Sequence, residues 1–134
     1  MGRAGFHDHA ARLLSGLFEA SRHFGLARLP ELFCGFSRRN SEGPTHYPVA
    51  CAPQAWAAGS VFMLLQACLG LEVDAAAGTL TLNHARLPPF LDEVKIENVA
   101  IGDSRVDLRV ERQRTGVGVE VTKRYGAAQV VNAK

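Results

Sequence analysis

The sequence predicts an α+β fold, with helices in its first half and strands in its second, on three observations. Apolar residues recur at helical spacing up to Gly70. Beyond Gly70 they alternate, residue by residue, with polar ones. Turn chemistry at Gly78, Gly102-Asp103 and Thr115-Gly116 separates the alternating runs from one another.

Residues 8–24 place Ala10, Leu13, Leu14, Leu17, the small Ser21 and Phe24 on one helical stripe, with Asp8 at the N-cap, Glu19 on the solvated side and Gly25 as the stop. Residues 27–52 are interrupted by Pro30, Gly35, Gly43, Pro44 and Pro48, which resist continuous helix or strand. Leu29, Leu32, Phe33, Phe36 and Val49 give this long segment enough apolar surface to pack as an ordered loop. A second helix is expected from Pro53, at its first position, through Trp56, Ser60, Val61, Met63, Leu64, Leu65 and Ala67 to Gly70. It is apolar almost all round, so it requires cover on several sides, more than its neighbours in this chain supply. The strands follow: Leu80 and Leu82; Val94 and Ile96; Val106, Leu108 and Val110; Val117, Val119 and Val121. Pro88-Pro89 breaks the run before Phe90, and a small antiparallel β unit is expected. The helical and β parts divide near residues 71–77, giving units 1–71 and 72–134.

With 134 residues, 47% of them hydrophobic, the chain has the composition of a globular protein. Its 15 basic and 13 acidic side chains nearly balance, which argues against a nucleic-acid partner. The basic residues Arg105, Arg109, Arg112, Arg114, Lys123 and Arg124 are interleaved with Asp103, Asp107, Glu111 and Glu120, the pattern of a mixed solvated face. No signal-like or membrane-spanning apolar run occurs, so no membrane partner and a cytoplasmic chain are expected. Cys34, Cys51 and Cys68 are too widely spaced for a metal motif and read as reduced, buried thiols. His7 and His9 stand two apart, on different helical faces, and no second cluster completes a metal site; no cofactor is implied.

Residues 29–36 read Leu-Pro-Glu-Leu-Phe-Cys-Gly-Phe, and residues 44–59 read Pro-Thr-His-Tyr-Pro-Val-Ala-Cys-Ala-Pro-Gln-Ala-Trp-Ala-Ala-Gly. This stretch resembles the amylo-α-1,6-glucosidase end of the glycogen-debranching enzymes, members of the glycoside hydrolase clan built on a barrel of six helical hairpins. The match spans about thirty residues. It extends more weakly back to Gly5 and forward to Leu87-Pro88-Pro89-Phe90-Leu91 and the strands beyond. The resemblance implies that the helices are the last of an (α/α) barrel and that an α-glucan or oligosaccharide is the substrate. It also implies that Glu31 is the general base of an inverting hydrolysis. Read without the family, a glutamate after proline is a turn or first-helical-turn carboxylate.

An inverting enzyme also needs an acid carboxyl roughly 6.5 to 9.5 Å from the base. In the family this is an upstream aspartate across the barrel. Within this chain Glu42 is the remaining candidate, once Asp8 and Glu19 are assigned to helix positions. A barrel of twelve helices takes on the order of 300 residues, so the expected partner is a polypeptide carrying the rest of the barrel. For substrate contact, Arg38 and Arg39 offer hydrogen bonds to hydroxyls or a pair with Glu42, and Tyr47 and Trp56 offer ring faces. Trp56, beside Ser60 and Met63 at helical spacing, reads first as a core residue. Gln54 either orients a water or hydroxyl, or caps loop backbone. A second reading, a small carbohydrate-binding or protein-interaction module, predicts a closed core of its own. The barrel segment predicts exposed faces at Leu17, Met63 and Leu65.

Overall fold

The structure, a computed structural model, describes residues 5–37, 39 and 42–133. It is α+β: helices α1 (His7–Ser21) and α2 (Ala55–Leu69), joined by a 3-10 turn (Gly25–Ala27) and an irregular loop, precede six strands. These are β1 (Leu71–Asp74), β2 (Thr79–Asn83), β3 (Glu93–Ile101), β4 (Ser104–Gln113), β5 (Gly116–Tyr125) and β6 (Gln129–Ala133). No helix among the described residues is long and apolar enough to cross a membrane.

The N-cap of helix α1 is Phe6 rather than Asp8, which lies inside the first turn and pairs with Arg86 at 3.5 Å. There its negative charge still suits the helix N-terminus. The helix ends at Ser21, short of Gly25, because the backbone switches to i−3 bonds: Arg22, His23 and Phe24 N–H donate to Glu19, Ala20 and Ser21. Phe24 therefore leaves the helical stripe and packs edge-on to Phe33, ring centroids 5.7 Å apart. Pro53 precedes α2 instead of opening it; Gln54 is the N-cap, and its side-chain carbonyl accepts from Ala55 N–H at 3.1 Å.

Gly70 closes α2 in the left-handed conformation, φ 54°. A Cβ there would overlap the carbonyl of Asn83. The close approach lets Asn83 N–H reach the Gly70 carbonyl at 3.1 Å, so the helix passes directly into β1 with its C-terminal end against the end of β2.

The β part forms two three-stranded sheets, β1-β2-β6 and β3-β4-β5. It is not wholly antiparallel as expected: β6 returns to lie parallel to β2, pairing Thr79 with Gln129 and Asn83 with Ala133. The alternation of β2 and β4 turns Leu80, Leu82, Val106, Leu108 and Val110 inward, where they meet Ile101, Leu87 and, from the helix, Leu69 in one shared core. A second, smaller cluster of Ala10, Ala11, Leu14 and Cys68 joins α1 to α2. Small residues there bring the helices close. Phe18 stacks on Phe90 at 4.2 Å, which ties α1 to the segment after Pro88-Pro89.

Part of the uncovered surface is apolar. On α2, Trp56, Phe62 and Met63 are 64%, 75% and 71% exposed, and Leu26, Phe36 and Val49 of the connecting segments are exposed too. Of the three faces singled out above, Met63 is open to solvent, while Leu17 and Leu65 are half-buried.

Candidate functional site

The loop from Arg28 to Gln54 closes on itself at its base. Glu31 N–H donates to the Cys51 carbonyl at 2.8 Å, Cys51 N–H donates back to Glu31 Oε2 at 3.2 Å, and Gln54 N–H donates to Leu29 O at 3.3 Å. Pro30, Pro44, Pro48 and Pro53 keep this loop out of any regular ladder, so this local set satisfies the backbone instead. Leu29 and Pro30 are buried beneath it. Glu31 is thus held at the closure point, half-buried, with one oxygen fixed by a backbone amide and the other without a protein donor among the described residues.

That carboxylate lines a crevice of about 130 Å³ with Leu17 of α1, Phe33 of the loop, and Trp56, Ala57 and Ser60 of α2. A carboxylate fixed in this way is equipped to accept a proton from a water brought beside it. Trp56 reaches the crevice because α2 turns it toward the loop; it is exposed, which overturns its reading as a core residue.

The other predicted residues are dispersed. Arg39 lines a separate cavity of about 480 Å³ with His23, Cys34 and Glu42, and its Nη1 pairs with Glu42 Oε2 at 3.3 Å. Both side chains are well exposed, so the pair is a screened surface one. Glu31 and Glu42 therefore face different cavities, and the structure does not bring Glu42 to the base. Arg38 lies outside the described residues. Tyr47 is exposed in the loop and lines neither cavity. Gln54 takes the capping role, with its carbonyl committed to Ala55.

The thiols divide rather than share one environment. Cys68 is buried between the helices, and burial pushes its thiol up to about 11, away from reactivity. Cys34 is half-buried, and Cys51, expected inside, is exposed, at the point where its backbone bonds to Glu31. No group of three or more His, Cys, Asp or Glu side chains stands together among the described residues. His7 is instead a buried structural residue whose Nδ1–H donates to the carbonyl of Ala67 at 3.1 Å, joining the two helices. Nothing in the sequence around it signals that bond, which depends on where α2 ends. Comparisons with protein-family models, with curated proteins and with solved structures find no match to this chain.

Proposed function

We propose that this chain is the C-terminal segment of a glycogen-debranching-type, amylo-α-1,6-glucosidase-like glycoside hydrolase, contributing the last helices of a six-hairpin barrel, the catalytic-base loop and a β tail. The observation that carries the reading is the setting of Glu31, a half-buried carboxylate with one oxygen held by Cys51 N–H, beside the exposed ring of Trp56. In an inverting hydrolysis Glu31 takes a proton from the water that attacks the anomeric carbon, opposite the leaving sugar. A second carboxyl, placed roughly 6.5 to 9.5 Å away, protonates the leaving oxygen.

Among the described residues Glu31 is the one carboxylate in its crevice, so the acid is assigned to a polypeptide beyond these residues. The size of the crevice supports the same reading. Small-molecule sites occupy about 300 to 1,000 Å³, and the 130 Å³ beside Glu31 needs further walls to hold an α-glucan or oligosaccharide. The uncovered apolar side of α2 is where further barrel helices would pack. In this reading the chain alone releases no glucose.

The test is Glu31→Gln in the chain assembled with the upstream helices. Glucose release from an α-1,6-branched oligosaccharide is expected to fall by at least about a thousandfold, while oligosaccharide binding stays within a few fold. Near-wild-type turnover would sink Glu31 as the base. One observation favours the second reading, a small carbohydrate-binding or interaction module: the two sheets and Leu69 close a core of their own. Oligosaccharide binding by this chain alone, unaffected by Glu31→Gln and with no turnover on assembly, would select it.

A further inference from the structure

Far along the chain from Glu31, the two sheets leave a cavity of about 710 Å³ at the end where the parallel strands β2 and β6 finish and the β4–β5 turn begins. Its wall takes His84 and Arg86 from beyond β2, Arg112 and Gln113 from the end of β4, Arg114 from the turn and Asn132 from β6. Three arginines thus line one space, and no carboxylate is among the described residues that line it.

Two of these groups are set in place by the protein. Arg112 Nη2 donates to the carbonyls of Leu87, Pro88 and Leu91 at 3.2, 2.6 and 2.9 Å, and its Nε faces Asp92 at 3.5 Å. Arg86 Nη1 donates to Ala85 O at 3.2 Å, with its Nε 3.5 Å from Asp8. Both acidic partners are highly exposed, Asp8 at 82% and Asp92 at 92%, so water and salt screen much of what they neutralise. Arg114 has no ion pair or side-chain hydrogen bond with any described residue. Arg109 differs: Glu93, Glu111 and Glu120 surround it. The interleaving of charges along the sequence is therefore neutralising at Arg109 and leaves surplus charge at Arg114.

We propose that this cavity binds a phosphate group, either the free anion or the phosphate of a small ester. Arg114 offers an unshared fork, Nη1 of Arg112 and Nη2 of Arg86 keep donors that no described residue uses, and the Asn132 amide adds a neutral one, a set suited to the oxygens of a tetrahedral dianion. The volume is in the range of small-molecule sites, and Leu87 and Val117 in the wall offer apolar surface to an organic remainder.

The experiment is a titration of the full chain with inorganic phosphate, glucose 6-phosphate and glucose at fixed ionic strength, followed by calorimetry and by backbone amide shifts. Saturable binding of at least one phosphate compound, with shifts at Arg86, Arg114 and Asn132 and none from glucose, is expected. Tighter binding of glucose 6-phosphate than of inorganic phosphate assigns an ester, and equal binding assigns the free anion. Arg114→Ala, a change in an exposed turn, is expected to weaken binding about tenfold or more. Arg124→Ala, an exposed arginine on β5 outside the cavity, should leave binding within about twofold. The proposal is overturned by an absence of saturation up to about 10 mM, or by equal losses in the two variants.

Discussion

Glu93 illustrates how one residue couples the sheet to solvent pH. The Arg109 side chain, hydrogen-bonded and ion-paired to it across the β3–β4 ladder, holds the Glu93 carboxyl below its ordinary value of 4.5; burial opposes this, and Lys95 assists. A carboxylate with a depressed pKa in the folded state stabilises that state above its unfolded pKa, and the contribution disappears as pH falls through the folded pKa. Urea unfolding measured from neutral pH down through the carboxylate range is expected to show a shallower loss of stability in Glu93→Gln than in the parent. Equal slopes would mean that Arg109 does nothing for Glu93 in solution. At Glu31 the residue type and its Leu-Pro-Glu-Leu context were visible in the sequence, but its hold on Cys51 was not. That bond joins positions twenty residues apart across a loop with no periodicity to read.

Among elements, both helices were legible because a 3.6-residue stripe survives local irregularity, while their ends were set by contacts the stripe does not encode. Phe24 has the right spacing to extend α1, yet its ring is used against Phe33 and His46. Strands β3, β4 and β5 follow their alternation, interrupted by register shifts at Ile96/Val99 and Asp107/Leu108. At the first, Asn98 takes φ 60° and its N–H donates to Asp107 Oδ1 at 2.7 Å. Strands β1 and β6 were missed: β1 starts immediately after the helix cap, and Gln-Val-Val-Asn-Ala does not alternate. The junction itself gives the test at this scale. Gly70→Ala adds left-handed strain and a clash with the Asn83 carbonyl, and thermal or urea unfolding should register a loss of at least about 2 kcal/mol.

For the whole molecule, the α+β composition was legible, but the way one buried core unites both sheets with the end of α2 was not. Leu69 sits four residues from Leu65, and only packing decides that one enters the core fully while the other bridges both clusters. The exposed side of α2 has a measurable consequence. Replacing Phe62 and Met63 by glutamate should reduce self-association of this chain in light scattering at matched concentration, with folding stability changed by no more than about 1 kcal/mol. Unchanged association would place the sticky surface elsewhere.

The parallel pairing of β2 with β6 also bears on how the chain is made. Leu80 and Leu82 sit on a strand whose second neighbour, Val130 to Asn132, is translated some fifty residues later, as the pairing of Thr79 with Gln129 requires. Through that interval β2 has β1 on one side and unpaired amides and carbonyls on the other, while β3, β4 and β5 are already able to form hairpins among themselves. An edge left open that long is a template for the wrong strand. The nascent chain is accordingly most vulnerable to mispairing and aggregation in the window between completion of β2 and arrival of β6.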